Sequence, residues 1–350
     1  MMRKTLGDMA KHLKSIISPE SLEAYAIKPI FEDISSEGNI RDGVLAFRVF
    51  LYRLCDTLIA EGDSYDNYKK IAHPYENRIT ISLSYPFLNN IKQLLLNIGF
   101  HGVMIENAEA ITTGNNVFYE KVSDSKNIEC LKFLTECGIR IDGMDLNKKR
   151  QKLSEVETLR FSYPDNPAML IGLKAMAVAE IELGTKDNRD ILLRCDYRAL
   201  KKDDADMTSI LKDTIKPLPS NIQDFILRLH QFRLDKELNC DVEIKDFWIK
   251  IKYSHKKKEI WGINTSLNNG FEITAKASNT HKYTDTIERF PLALQEMIAK
   301  GYGCGKRRGV SNICDGGCKG LCIPLDDSVL EISDAIEIWF DKELSCLQRK

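Results

Sequence analysis

The stretch LRFSYPDNPAMLIGLKAMAVAEIEL, residues 159–183, decides how the N-terminal part of this chain folds. Its first residues complete an apolar strand, VETLRFSYP. Pro164 ends the strand, because proline lacks an amide hydrogen for the sheet and extends its neighbour. Asn166 has the side chain to cap a helix, and Pro167 suits the first helical turn. The apolar residues that follow predict a helix ending before Gly184. The predicted order is therefore strand, turn and helix.

The same order occurs earlier in the chain and predicts an internal repeat. The tripeptide SYP stands at residues 84–86 and again at 162–164. Before the first copy, RITISLSYP alternates apolar and polar residues, which is typical of a half-buried strand. Asn89 or Asn90 is expected to cap the helix IKQLLLNI that follows, with Gly99 at its end. A helix ending at a glycine precedes each copy.

Two interpretations of this repeat remain open. In the simpler one, the copies are a structural duplication that builds one sheet. In the other, Tyr85 and Tyr163 face a common cleft, where the N-termini of the following helices would favour an anion.

The helix DGVLAFRVFLYRLCDTLIAE opens the first copy, with Asp42 as its cap and Gly62 as its left-handed end.

These patterns predict an α+β protein with two folded domains. The predicted parts are a helical segment (1–40), a duplicated domain (41–205, with copies around 42–118 and 126–200), a linker (206–220) and a second α+β domain (221–350). The proline-containing end of the linker precedes a long helix capped by Ser220 or Asn221. DFWIKIKYS, IWGINTS and FEITAKAS then predict a three-stranded antiparallel meander. Two helices finish the domain, and Pro291 is expected to kink or break the first of them.

Composition restricts the cell compartment and the partners. The net charge is −1 and the sequence pI about 6.6, which argues against bulk nucleic-acid binding. The first residues lack the continuous apolar run of a signal peptide, and their spacing predicts an amphipathic helix docked on the body. Binding of that helix to a membrane surface is the alternative. We expect a cytoplasmic protein without a membrane partner, in which the ten cysteines are mostly reduced.

The sharpest chemical signal is the glycine-rich and cysteine-rich loop at residues 301–322. Cys304, Cys314, Cys318 and Cys322 have the spacing C-x9-C-x3-C-x3-C. Ligands a few residues apart suit tetrahedral zinc, and four thiolates would close the coordination sphere, which predicts a structural metal rather than a catalytic one. A reduced or disulfide-linked loop without metal, an iron–sulfur cluster and a redox switch are the alternatives.

The sequence lacks the standard catalytic signatures, including a Walker loop, G-x-S-x-G, H-E-x-x-H and G-x-G-x-x-G. CDYRAL, residues 195–200, predicts a strand with Cys195 and Tyr197 on one face. The leading hypothesis is a binding or regulatory protein with a small-molecule or protein ligand and a structural zinc. One alternative is an enzyme of unfamiliar type, with its site in the cleft between the repeats or between the domains. Another is a nucleic-acid-associated protein that uses the basic cysteine-rich loop.

Overall fold

The chain folds as two compact units, Met1–Ala205 and Asp206–Lys350. The computed structural model describes residues 5–21, 24–65, 69–75, 78–118, 122–148, 152–184, 190–203, 206–245, 248–267, 270–277, 279–300, 302–303 and 319–348. Both units combine helices with antiparallel sheet, which confirms the α+β class. Within these residues, no helix is both long enough and apolar enough to cross a membrane.

The described part of the first unit contains helices and two small sheets. Its helices are α1 (Leu6–Ile16), α2 (Glu37–Glu61), α3 (Pro86–His101), α4 (Asp124–Glu136) and α5 (Ala168–Ala179). Its strands are β1 (Lys69–Tyr75), β2 (Arg78–Ser84), β3 (Val103–Ile105), β4 (Ala110–Thr113), β5 (Arg140–Asp142) and β6 (Leu159–Ser162). β1 and β2 form a two-stranded sheet, and the other four strands form a sheet in the order β3-β4-β6-β5.

Helix α5 is the core of this unit, because it is apolar on nearly every side and packs against both α2 and α3. It crosses α2 where two glycines meet. A Cβ placed on Gly172 would lie 2.0 Å from the carbonyl oxygen of Gly43. The single lysine of α5 also has a role, since Lys174 Nζ donates to the carbonyl of Gly102 (2.7 Å) at the end of α3. Burial lowers the pKa of Lys174.

Several local predictions for this unit are confirmed. Asn166 accepts from the amide of Ala168 (3.2 Å) at the start of α5, and α1 buries its apolar face against α2. Both predicted caps of α2 are wrong. α2 begins at Glu37 with Ser36 as its cap, rather than at Asp42. Gly62 keeps right-handed helical angles, and its closeness to the Gly7 backbone explains the glycine instead (2.9 Å from a Cβ to the Gly7 nitrogen).

The two copies of the predicted repeat have the same order of strand and helix, but their strands pair in different sheets. In both places a strand ends at the serine of SYP and a helix follows. However, β2 pairs with β1, whereas β6 pairs with β4 and β5. The expectation that the two copies build one sheet is therefore wrong. Asn89 and Asn90 lie inside α3, which already begins at Pro86.

The second unit is a six-stranded antiparallel sheet with helices. Its helices are α6 (Met207–Ile215), α7 (Ser220–Asp235), α8 (Thr284–Ile287), α9 (Leu292–Lys300) and α10 (Ser333–Gln348). Its strands are β7 (Asn239–Lys245), β8 (Trp248–His255), β9 (Lys258–Ser266), β10 (Gly270–Ala277), β11 (Tyr302–Gly303) and β12 (Lys319–Pro324), in the order β11-β12-β10-β9-β8-β7. Trp261, stacked between Tyr253 and Phe340, joins the sheet to α10.

The predicted meander is correct in its three strands but incomplete. β7 precedes those strands, and β12 pairs with β10 on the other side. The stretch predicted to be a linker contains α6, whose cap is Asp206. Pro291 separates α8 from α9, so the predicted break in that helix is confirmed.

Candidate functional site

A cavity of about 210 Å³ opens in the first unit against one face of α2. Arg41, Leu45 and Arg48 line it from the helix, because residues spaced by three and four project from the same side. The second wall is the loop that follows α1, with Glu20 and Tyr25. The third wall is the turn that carries Cys195 and Tyr197. The cavity thus joins segments that lie far apart in sequence.

The loop is fastened to the turn at both of its ends. At one end, the amide of Ser18 donates to the carbonyl of Arg194 (2.7 Å). At the other end, Ile27 and Lys201 form a β-bridge, and the amide of Lys28 donates to the carbonyl of Leu200 (2.9 Å). Glu20 and Tyr25 lie between these two attachments, so the loop is held as one wall of the cavity.

The turn is held from behind by buried ionic groups. Asp196 accepts from Arg198 Nη1 (3.1 Å) and from Ser18 Oγ (3.4 Å), and Arg194 donates from Nε to the carbonyl of Ile16 (3.2 Å). Arg194, Asp196 and Arg198 are each less than 5% exposed. Because ionic groups are costly to bury without partners, this arrangement specifies one geometry for the turn. The strand predicted for residues 195–200 is wrong, since Cys195 has φ +48° and residues Tyr197–Ala199 form a 3₁₀ turn.

Arg48 presents the most distinctive polar group of the cavity. Its Nη2 donates to Glu20 (2.7 Å), while its Nε is buried without a hydrogen-bond partner. The side chain of Arg48 is 14% exposed, whereas that of Glu20 is 51% exposed. An unsatisfied buried N–H is costly, so this nitrogen favours an acceptor supplied by a ligand or by water.

The remaining walls are aromatic, apolar and cationic. The rings of Tyr25 and Tyr197 lie 5.4 Å apart at a tilt of 38°, and both residues line the cavity. Arg41 donates to the carbonyl of Tyr25 (2.8 Å), with its charge 3.8 Å from Glu37. Burial raises the pKa of Tyr25, so its phenol stays protonated at neutral pH. Asp42 is exposed at the cavity's rim.

Cys195 lines the cavity as an inert thiol. It is buried, and its Sγ donates to the carbonyl of Val44 (3.5 Å). Burial raises the pKa of this thiol, which outweighs the opposite effect of Arg48. A nucleophilic cysteine needs a lowered pKa and a base, so the geometry here suits recognition better than covalent catalysis.

The other predicted pocket, at the two SYP tyrosines, is not formed as expected. Tyr85 and Tyr163 are each 5% exposed. Tyr163 packs edge-on against Phe50 at 5.6 Å, and its hydroxyl accepts from Arg53 Nη1 (3.5 Å). Both rings are packing groups, and neither lines the cavity on α2.

Of the four predicted zinc ligands, only Cys322 falls in the described part of the chain. Cys304, Cys314 and Cys318 lie outside the described residues. Cys322 is exposed on β12, opposite Thr274 of β10. Partial burial and then the charge of Glu272 raise the pKa of its thiol to about 11. Among the described residues, no group of three or more His, Cys, Asp or Glu side chains is placed to hold a metal ion.

Sequence reasoning missed the cavity on α2. Arg48 lies on the helix predicted from Asp42, but Arg41 precedes that predicted start, and only the earlier start of α2 at Glu37 puts both arginines on one helical face. Nothing in the local pattern shows that the loop with Glu20 and the turn with Cys195 meet that face. No protein-family model, no curated protein and no solved structure matches this chain.

Proposed function

We propose that the first unit is a binding module for a small organic molecule, held in the cavity on α2. The observation that carries this proposal is the buried, unpartnered Nε of Arg48 beside an aromatic and apolar wall. Ligand sites typically combine such walls with a few placed polar groups. The volume, about 210 Å³, is below the range of about 300–1,000 Å³ for drug-sized ligands, so the expected ligand is small.

Binding is favoured over the enzyme alternative by the state of the groups in the cavity. Tyr25 and Cys195 both have raised pKa values and remain protonated. Arg41 and Arg48 hold acidic or carbonyl partners and act as hydrogen-bond donors. Such groups recognise and orient a ligand. The module would therefore sense or carry its ligand without changing it.

Ligand-detected NMR with a library of small carboxylates, amides and amines tests this proposal. Leu45→Trp fills the cavity from α2 and is expected to remove the binding signals of the hits. Val49→Trp is the matched control, since Val49 lies on the same helix but is 60% exposed. A library without hits, or hits that Leu45→Trp leaves unchanged, would overturn the proposal.

A structural zinc in the second unit is a separate proposal, supported by the strands at both ends of the cysteine-rich loop. β11 and β12 pair with Gly303 opposite Lys319. Cys304 directly follows the first of these residues and Cys318 directly precedes the second. Paired strands lie about 4.8 Å apart, so the chain enters and leaves the cysteine-rich stretch at two neighbouring backbone positions, Gly303 and Lys319. A stretch that starts and ends at neighbouring positions suits a closed four-ligand site such as tetrahedral zinc.

Metal analysis of protein purified without tags or chelators tests the zinc proposal. We expect about one zinc per chain for a closed four-thiolate site. The double variant Cys314→Ser with Cys318→Ser should lose the metal. Cys346→Ser, which changes a half-buried cysteine of α10 outside the motif, should retain it. Wild-type protein without zinc would refute the proposal.

A cytoplasmic location is proposed from the cysteines. The described cysteines are free, and four of them (Cys55, Cys130, Cys137 and Cys195) are buried. Buried free thiols suit a reducing compartment. The nucleic-acid alternative depends on Lys306, Arg307 and Arg308, which lie outside the described residues and add no support.

A further inference from the structure

We propose that the ligand of the α2 cavity is a small carboxylate, and that Glu20 occupies its place on Arg48 until the ligand displaces it. This inference rests on the binding function proposed above and adds the chemical class of the ligand. It also assigns a role to the loop between α1 and α2. The argument depends on how the Arg48 guanidinium is used.

The guanidinium of Arg48 is half occupied. A carboxylate that approaches from the side binds two neighbouring N–H groups of arginine, Nε and one Nη, in a planar fork. Here Glu20 accepts from Nη2 alone, at 2.7 Å, and Nε is left without a partner. Glu20 therefore fills half of a bidentate carboxylate site.

Glu20 is suited to leave this position. Its side chain is half exposed (51%), so its charge regains water when it turns away, whereas Arg48 is 14% exposed and stays in the wall. An ion pair with one half-exposed partner contributes little to stability. The loop would keep its place without this pair, because Ser18 and Lys28 hold it to the turn through backbone hydrogen bonds.

The rest of the cavity determines what the carboxylate can be attached to. The neighbouring surface consists of the Tyr25 and Tyr197 rings together with Val44 and Leu45. Flat aromatic rings pack well on such a surface. The exposed carboxylate of Asp42 lies at the rim and disfavours a second negative charge on the ligand. A single-ring monocarboxylate fits these features.

Benzoate and benzamide are the probes that test this inference, because they share size and ring and differ in charge. In titration calorimetry on the full chain, benzoate is expected to bind at least about tenfold tighter than benzamide. This factor corresponds to the free energy of one hydrogen bond to a charged group. Arg48→Gln should remove that preference. Arg48→Lys keeps the charge but lacks the fork, and should also lose most of it. Arg53→Gln, on the exposed side of α2, is the matched control and should change nothing.

Glu20→Gln gives the decisive result, because it is expected to strengthen benzoate binding, whereas the Arg48 variants are expected to weaken it. Removing the competing carboxylate should tighten benzoate binding about threefold to tenfold, the size expected for one nearby like charge. Glu32→Gln, an exposed residue outside the cavity, should leave the affinity unchanged. If Glu20→Gln binds benzoate more weakly than the wild type does, the proposal that a ligand carboxylate displaces Glu20 from Arg48 is wrong.

The result also separates the two proposals. If benzamide binds as tightly as benzoate and Leu45→Trp removes both, the cavity is a ligand site but the carboxylate inference is wrong. If neither probe binds and the fragment library gives no hits, both proposals fail. The melting temperature of each variant shows whether it is folded.

Discussion

At the scale of single residues, a buried histidine of the second unit links two hydroxyl groups, those of Tyr253 and Thr208. His230 is 3% exposed; its Nδ1 lies 3.0 Å from the hydroxyl of Tyr253 and its Nε2 lies 3.1 Å from Oγ1 of Thr208. Burial lowers the pKa of His230, and the positive charge of Arg233 adds to this effect. The charge of Asp206 acts in the opposite direction, and Lys212 adds a small lowering. The folded protein therefore keeps this imidazole neutral.

This lowered pKa predicts a loss of stability in acid. Below about pH 6.5, the ordinary pKa of histidine, the unfolded chain binds a proton at His230 that the folded chain resists, so the free energy of unfolding falls with falling pH. Urea unfolding at pH 7.5 and 5.5 measures this dependence. His230→Gln should reduce it, at a cost of about 1–3 kcal/mol at pH 7.5 for the partners left unsatisfied. His281→Gln, which removes an exposed histidine, is the control for stability at pH 7.5 and should cost less than about 0.5 kcal/mol.

Single residues also show where sequence reasoning succeeds. Asn166 can be recognised as a cap from sequence, because the amide that donates to it, that of Ala168, is only two residues away. Gly62 was given a left-handed conformation, but its small size serves a contact with Gly7, which is remote in sequence. The role of the Glu20 side chain likewise depends on Arg48, which is 28 residues away in sequence. Short-range partners can be read from sequence, whereas distant ones require the fold.

At the scale of elements, the packing of α5 against α2 depends on the absence of side chains at one crossing. A Cβ on Gly43 would lie 2.7 Å from the backbone nitrogen of Gly172 and 2.9 Å from the carbonyl oxygen of Ala168. Backbone atoms of a buried helix cannot move aside as a flexible side chain can. The face of α2 that carries Arg41 and Arg48 is therefore positioned by this crossing.

Two alanine substitutions on α2 test this crossing. Gly43→Ala is expected to destabilise the protein by about 1–3 kcal/mol, the usual cost of overpacking a core. Gly38→Ala is the matched control, because nothing lies within 4 Å of a Cβ at that position. It should stabilise the protein by about 0.5–1 kcal/mol through helix propensity. Thermal and urea unfolding measure both, and equal effects of the two variants would show that the crossing tolerates a methyl group.

The type of most elements was predictable, but their partners were not. The alternation of RITISLSYP predicts β2, and the apolar stretch before Pro164 predicts β6. Their separate sheets follow from long-range pairing that these local patterns do not encode. CDYRAL alternates like a strand, yet the buried pairing of Asp196 with Arg198 and Ser18 turns it into a compact bend. In the second unit, β12 was missed because its two apolar residues, Leu321 and Ile323, alternate with Gly320, Cys322 and Pro324 at the end of a stretch interpreted as a cysteine-rich loop.

At the scale of the whole molecule, the two units have separate cores and separate spectroscopic reporters. All three tryptophans (Trp248, Trp261 and Trp339) belong to the second unit. Trp261 and Trp339 are fully buried there. Tryptophan fluorescence therefore follows the unfolding of one unit, and hydrogen exchange of peptides from α5 follows the other. This division allows the proposed zinc to be assigned to a unit by its effect on stability.

Removing the proposed zinc should affect the second unit alone. Metal binding to a site that exists only in the folded state contributes directly to the free energy of folding. A chelator is therefore expected to lower the urea midpoint followed by tryptophan fluorescence and to speed hydrogen exchange in β10 and β12. Exchange in α5 should stay unchanged, because its core is formed by α2 and α3. The variant with Cys314→Ser and Cys318→Ser should behave like chelated wild type and respond no further to the chelator. An unchanged fluorescence midpoint after zinc is removed would mean that the cysteine-rich loop does not hold the second unit together.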